Sequence, residues 1–409
     1  MQLLTQQVSA KAKILPNKVG ALFMKMGTGK TRVAVELVNS VEDVDLVVWI
    51  APLRTIKPKD ELIQPISVEI EKWGGFNCKN VVYIGVETIQ GSDREYLRLF
   101  RKIETAWRCF IVVDESIKIK NFEAKRTQRL LELGKMVEHK LILNGEPIVK
   151  DLLDMYAQIQ FLSPKILNMS LAEFKNTFCC YTKITKTSPG YGRTYVKEYI
   201  TGYENVDYLY SLIGEYIFEC DLELNVKQLY ETKFYKLDDE AKEKYQLLKT
   251  KYLDNEMLLM KNNNIFLELT MKMQHEYCIT EEKFEQVDEW LKDKKQSKLI
   301  IYCKYIASRE ACTKRYPEAI VLNYKSGAFS YNLQDRPLMI FFDGTFDWGD
   351  VSQGSKRNYR TGQEDDCYYL RLMGDVNLED LMQANNQKKE NTANYFKQLT
   401  NKNELEPTI

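Results

Sequence analysis

Met26-Gly27-Thr28-Gly29-Lys30-Thr31 follows the apolar run Ala21–Met24 and precedes the amphipathic run Arg32–Asn39, a strand–loop–helix pattern. Gly27 and Gly29 let backbone N–H groups around Thr28 close on phosphate oxygens, and the helix N-terminus adds a favourable dipole. In that setting Lys30 is expected to reach the β- and γ-phosphates of ATP, and the Thr31 hydroxyl to hold Mg2+. The common form G-x-x-x-x-G-K-T has a leading glycine where this chain has Met24. The GKT core and its context remain.

Downstream, Phe110-Ile-Val-Val113 runs directly into Asp114-Glu115. A buried strand of a parallel sheet would deliver both carboxylates to the carboxyl edge, where ligands bind. Asp114 is then expected to bind Mg2+, directly or through water, and Glu115 to orient and deprotonate the attacking water. Alone, an apolar run followed by Asp-Glu also describes a strand ending in a solvated turn. Its place downstream of a phosphate loop favours the catalytic reading.

Further outward, residues 20–164 alternate short β-rich runs with helical stretches, the pattern of βαβ units and a mainly parallel sheet. The expected strands are Ala21–Met24, Leu46–Ala51, Val81–Ile84, Phe110–Val113 and Lys140–Leu143, and Ser92-x-x-Glu95 opens a helix. Residues 165–295 differ, with longer helical segments at Asp238–Met260 and Phe266–Tyr277 and a hairpin around Ser188–Gly192. The alternation returns with Lys298–Cys303, Ala319–Asn323 and Leu338–Asp343. The expected fold is α/β, in two lobes: residues 1–235, with a helical and hairpin insertion at about 165–230, and residues 236–409, with a helical start.

Composition agrees with a soluble chain of two or three domains: 409 residues, 44% hydrophobic and 28% charged. No apolar run approaches the roughly 18–20 residues that cross a bilayer, and the start MQLLTQQVSAKAK lacks the apolar core of a secretory signal. A cytoplasmic protein without a membrane partner is expected. Lys plus Arg and Asp plus Glu number 58 each, so total charge points to no polyanion; a local basic track would suffice for one. Nine scattered cysteines without a C-x-x-C pair, and two histidines, argue against zinc or a Cys–His nucleophile. Chemistry is left to Lys, Asp, Glu, Arg and a bound metal.

The remaining motifs carry a family resemblance. Asp114-Glu115-Ser116-Ile117-Lys118-Ile119-Lys120-Asn121 resembles D-E-[SGA]-H-x-[IL]-K-N of the Swi/Snf-type branch of superfamily-two helicases. Leu143-Asn144-Gly145-Glu146-Pro147-Ile148, with Leu153–Tyr156 and Phe161–Pro164, is similar to that branch's L-T-G-T-P-I segment and its continuation. Ile50-Ala51-Pro52-Leu53 resembles its A-P-x-x segment, and Gln7 stands where its adenine-reading glutamine would be. Gly327 to Gln334 resembles G-x-x-G-x-N-L-Q, and Gln353-x-x-x-Arg357-x-x-Arg360-x-Gly362-Gln363 resembles Q-x-x-x-R-x-x-R-x-G-Q. The motifs span residues 7–363 in the family's order.

The resemblance implies two RecA-like lobes with parallel sheets and helical insertions between them, and a DNA-dependent ATPase that translocates on duplex DNA. It implies that Gln7 and Gln353 bind nucleotide and that Arg357 and Arg360 complete the site as arginine fingers. Spaced i, i+3, the two arginines would share one face of a helical turn and neutralise charge in the transition state. The short span from Cys303 to Gly327 implies a second lobe shortened by one βα unit. That compactness, with Tyr359–Gln363, is similar to versions encoded by bacteriophages, which would place the protein in host cytoplasm.

Two departures bear on coupling. Ile117 replaces a histidine that links the carboxylate motif to the neighbouring strand, and Glu146 and Asn144 replace threonines. A carboxylate near the phosphates must pair with a cation or take up a proton. Candidate DNA-backbone contacts are Arg54, Thr55, Thr88 and the amides of Gly327–Ser330, which position a motor without reading sequence. The basic, aromatic segment 183–197 is either a further DNA contact or a solvated hairpin. Two other readings remain: a pseudo-ATPase that holds nucleotide or DNA, and a strand-separating DNA or RNA helicase.

Overall fold

The structure is a computed structural model describing residues 2–58, 64–149, 151–187, 194–222, 224–253, 270–324, 333–346, 348–360, 362–376, 378–380, 382–384, 386 and 387. The chain divides into two compact units between Glu223 and Leu224. Among the described residues no helix is long and apolar enough to cross a membrane.

The first unit is built on a six-stranded sheet. Its strands are β1 (Val19–Met24), β2 (Leu46–Ala51), β3 (Val81–Gly85), β4 (Cys109–Asp114), β5 (His139–Leu143) and, after the hairpin strands β6 (Cys179–Thr187) and β7 (Thr194–Tyr203), β8 (Ile217–Cys220). Their order is β3-β2-β4-β5-β1-β8, and every pairing is parallel. All six residues of β2 are buried, which requires cover on both faces. The two-residue repeat divides that cover. Leu22, Val47 and Trp49 pack with Val33 and Val38 on one face; Ala21, Val48 and Ile111 pack with Leu99, Leu130 and Ile159 on the other. Ser92 caps the helix Asp93–Thr105, accepting the Glu95 N–H at 3.2 Å. The β6–β7 pair is antiparallel and stands outside the large sheet, and its tip lies outside the described residues.

The second unit holds a five-stranded sheet of β9 (Gln228–Tyr235), β10 (Leu299–Cys303), β11 (Ile320–Asn323), β12 (Leu338–Phe341) and β13 (Cys367–Gly374). The order is β11-β10-β12-β13-β9, again parallel throughout. The division therefore falls before the expected 235/236. Gln228–Tyr235 reads as a mixed polar segment, yet all eight residues run in register with Cys367–Gly374. Helix Asp239–Leu253 follows where the helical start was expected; the continuation to Met260 and the segment Phe266–Leu269 lie outside the described residues. Both units are α/β with parallel sheets, as the phosphate loop and the alternation required.

Across one face of the second sheet runs a row of aromatic rings. Tyr302 stacks on Tyr324 at 5.6 Å and on Phe341 at 6.1 Å, Phe341 on Tyr369 at 6.3 Å, and Tyr369 on Tyr230 at 4.5 Å. Arg371 closes the row over Tyr230 at 4.9 Å. Gly354, in the helix Trp348–Ser355, lies on this floor, with room for a Cβ only at 3.3 Å from Tyr302.

Candidate nucleotide site

β1 ends at the fully buried Met24, which is why no glycine is needed there: the residue belongs to the strand, not to the loop. The turn begins at Lys25, whose N–H reaches the Cys220 carbonyl of β8 at 2.9 Å. The Lys25 carbonyl then accepts the Thr28 hydroxyl at 2.6 Å and the Thr28 N–H at 3.3 Å. Gly27 and Gly29 take φ values of +83° and +86°, where a Cβ is strained. Gly29 caps helix α2 (Lys30–Asn39), so its left-handed turn aims the first helical N–H groups and Lys30–Thr31 at one space.

Gln7, on helix α1 (Thr5–Ile14), is buried against this loop. Its amide nitrogen donates to the Thr28 carbonyl at 3.0 Å, and its amide oxygen accepts the Leu4 N–H at 3.1 Å. A methyl group on Gly29 would collide with that amide.

β4 delivers Asp114 and Glu115 two strands away, across β5. The Glu115 N–H donates to Asp114 Oδ1 at 3.0 Å, and Glu115 itself is held at φ +52°, a strained setting for a side chain of its size. Loss of hydration, then the charge of Glu115, pushes the Asp114 carboxyl up to about 7, while Lys30 pulls the other way. An acid so placed gains from a dication. The Thr31 hydroxyl and the Asp114 carboxylate are the ligand types that could hold Mg2+ beside phosphate oxygens. Among the described residues no three acidic, His or Cys side chains converge as a self-sufficient metal site.

β5 lies between the two, and the segment after it fills the gap. A Cβ on Gly145 would stand 3.8 Å from the Met26 nitrogen and 3.9 Å from Lys30 Nζ. Glu146, next in the chain, pairs with Lys25. The carboxylate that looked incompatible with phosphate is thus held by a cation of the phosphate loop itself. Asn144 donates its N–H to the Leu22 carbonyl at 3.1 Å; its side-chain nitrogen is buried without a hydrogen-bond partner among the described residues.

Ile117 removes a polar link, and the structure supplies another. The Ser116 hydroxyl donates to Gln158 Oε1 at 2.6 Å, and Gln158 Nε2 donates to the Pro147 carbonyl at 2.8 Å. Lys120 pairs with Asp154 at 3.3 Å, and Asp154 also accepts the Val149 N–H at 2.9 Å. Neither Gln158 nor Lys25 was singled out from sequence. Each was hidden by ordinary neighbours: a polar position on an apolar helix, and a lysine preceding the first loop glycine.

The second unit places Arg357 and Arg360 together, but not on a helix. Helix Trp348–Ser355 ends before them, and both sit in the turns that follow. The helical i, i+3 geometry is therefore corrected: Arg357 donates its N–H to Gly354 O at 3.0 Å and Arg360 to Asn358 O at 3.1 Å. Arg357 is buried and Arg360 half-buried. Gln363 props the turn, donating to Asn358 O at 3.2 Å, and Gly362 sits at φ +95°. Tyr369 donates to Ser355 O at 3.1 Å and Asn358 Oδ1 at 2.9 Å, tying the turn to the aromatic floor. Gln353 belongs to the helix; its side chain and the residues Gly327–Asn332 lie outside the described set.

Of the candidate DNA contacts, Arg54 and Thr55 lie on the short helix Leu53–Ile56 and Thr88 on Val86–Gly91. Thr88 lines a cavity of about 300 Å³ with Lys57, Arg98 and Lys102. Burial, then the nearby charge of Arg54, holds Lys118 below the ordinary lysine range.

Residues 69–283 match the SNF2-related domain. The chain is 36% identical over 72 residues to Helicase domino of Drosophila melanogaster, covering 18% of this chain and 2% of that protein. It is 25% identical over 179 residues to Nuclear protein STH1/NPS1 of Saccharomyces cerevisiae, covering 39% of this chain and 12% of that one. The chain thus spans only a small part of these relatives. A solved structure, the Sulfolobus solfataricus SWI2/SNF2 ATPase core in complex with dsDNA, aligns with TM-score 0.43 and 16% identity over 98% of this chain and 97% of that one. With the SNF2-related match covering more than half its length, and with the phosphate loop, acidic strand end and paired arginines in order, this chain belongs to the Swi/Snf-type family of superfamily-two helicase-like proteins.

Proposed function

We propose that the protein is an ATP-hydrolysing motor, stimulated by DNA, that translocates along duplex DNA without reading its sequence. One observation carries the proposal: the phosphate loop and the Asp114–Glu115 strand end meet at one sheet edge, close enough for Lys30 to act on the Asp114 carboxyl. Family membership supports nucleotide and DNA as ligands.

In this reading Gln7, Gly27, Thr28, Gly29 and Gln353 bind the nucleotide, and Lys30 holds its outer phosphates. Thr31 and Asp114 hold Mg2+, which when bound polarises the phosphoryl oxygens. Glu115 orients water and accepts its proton as the water oxygen bonds the γ-phosphorus and the bond to ADP breaks. Arg357 and Arg360 neutralise the developing charge as arginine fingers. Arg54, Thr55, Thr88 and neighbouring lysines grip the DNA backbone. The Lys25–Glu146 pair answers the main objection to turnover, a free carboxylate beside the phosphates.

The test is steady-state ATP turnover with and without duplex DNA, beside Lys30→Ala and Glu115→Gln. DNA-stimulated turnover lost in both variants supports the motor; the same background in all three proteins favours a nucleotide-holding pseudo-ATPase instead. Triplex displacement against forked-duplex unwinding then separates translocation from strand separation.

A further inference from the structure

The phosphate loop of this chain carries a second lysine that the catalytic scheme does not use. Lys25 lies at its entrance, paired with Glu146, and the side chains are 13% and 10% exposed. The backbone on both sides of the pair is fixed. Lys25 is pinned to Cys220 O at 2.9 Å and carries both Thr28 contacts, while Glu146 donates its N–H to Asn144 Oδ1 at 3.3 Å. The preceding residue, Gly145, packs against the loop with its Cβ position 3.9 Å from Lys30 Nζ. Glu146 is thus the next residue after the one that packs against Lys30.

We infer that Lys25 is a positioning residue for nucleotide binding: by neutralising Glu146 it keeps that carboxylate from capturing Lys30 and from repelling the polyphosphate. The inference rests on the nucleotide reading of this loop. Two unlike charges this close and this shielded from water interact strongly, and removing one takes that counter-charge from the other. Without Lys25, Glu146 is freer to turn to Lys30 and to repel the phosphates, and both effects weaken binding. A pair serving only as a brace behaves differently. Losing either partner would strand the other and loosen the fold, so Glu146→Gln would weaken binding as Lys25→Met does, and ligand-free melting would fall in step.

The distinguishing measurement is equilibrium binding of a fluorescent ADP analogue with magnesium, alongside ligand-free thermal melting of each protein. Lys25→Met is expected to weaken binding about tenfold or more. Glu146→Gln should bind at least as tightly as wild type, and Lys25→Met with Glu146→Gln should regain most of the loss. A double variant no better than Lys25→Met, or a Lys25→Met variant that binds like wild type, overturns the inference. Should Lys25→Met melt too early to assay, the exchanged pair Lys25→Glu with Glu146→Lys replaces it; binding no better than Lys25→Glu alone would overturn the inference equally. Lys30→Ala is the control for the underlying reading. A wild-type chain that takes no analogue, or takes it independently of Lys30, sinks the nucleotide site and the inference together.

Discussion

Ser116 and Gln158 form a 2.6 Å hydrogen bond between the turn after Asp114 and Glu115 and the helix Leu153–Leu162, and the other end of the Gln158 amide holds Pro147 O at 2.8 Å. One fully buried side chain thus joins the two segments that flank the proposed nucleotide space. Gln158→Leu would leave a buried hydroxyl and a carbonyl without this partner, at a cost of about 1–3 kcal/mol. If the bridge transmits DNA binding to the site, the DNA-stimulated share of ATP turnover falls while the KM for ATP holds. Turnover against DNA concentration decides this, and undiminished stimulation denies the bridge a coupling role.

The Asp114 carboxyl, raised to about 7, keeps a proton in the folded chain at pH values where the unfolded chain, with its ordinary value of 3.8, has lost it. A folded-state pKa above the unfolded one makes stability fall as pH rises through that window, from about 4 to about 7. Asp114→Asn removes the fall, so the ligand-free variant should melt above wild type beyond pH 7. In the proposed site, magnesium with nucleotide would compete for the same carboxylate. Calorimetry in two buffers of different ionisation heat should show proton release on binding at about pH 6.5 that fades by about pH 8.5. A proton count that does not vary with pH contradicts this.

Tyr369 bonds both Ser355 O and Asn358 Oδ1, so it orients the turn bearing Arg357 and Arg360. Tyr369→Phe keeps the ring in its stack and deletes only the hydroxyl. The expected result is a kcat reduced about tenfold, equivalent to about 1.4 kcal/mol, with little change in KM. A KM change at constant kcat would place the effect in nucleotide binding.

Lys283 and Asp343 form an ion pair at 2.8 Å with exposures of 2% and 1%. Lys283→Met strands the aspartate and should destabilise the second unit by about 3–5 kcal/mol. Lys283→Met with Asp343→Asn should recover part of that, as read by denaturant unfolding. Recovery stays incomplete because Asp343 also accepts Ser308 Oγ at 3.1 Å and Lys304 N at 2.8 Å.

Gly29→Ala combines a left-handed φ of +86° with a collision against the Gln7 amide. Nucleotide binding by this variant should fall at least about tenfold, because the loop cannot keep its turn. Pairing it with Gln7→Ala relieves the collision but not the strain, so binding should recover only in part.

The first sheet was legible because its strands are short, apolar and bounded by turn residues. Leu46–Ala51 agrees residue for residue, and the others differ by one or two at their ends. β8 and β9 were not, since Ile217–Cys220 is too short and Gln228–Tyr235 too polar to announce a strand. The loop residues, Asp114 and Glu115 were legible because spacing alone carries them to one sheet edge. The Lys25–Glu146 pair was not, because its partners are far apart in sequence and only the pairing of β1 with β5 brings them together. The arginine turn was misjudged as helical because i, i+3 spacing fits a turn as readily as a helix.

The edge position of β9 imposes an order of assembly. During synthesis residues 228–235 emerge long before 367–374, the strand they run beside. Until then the β9 backbone lacks its partner strand, and Tyr230 and Phe234, exposed even in the folded chain, add to a template for mispairing with other nascent chains. A ribosome pause or truncation between these two strands should thus yield a complete first sheet carrying a sticky tail, and aggregation from that tail rather than from the nucleotide site.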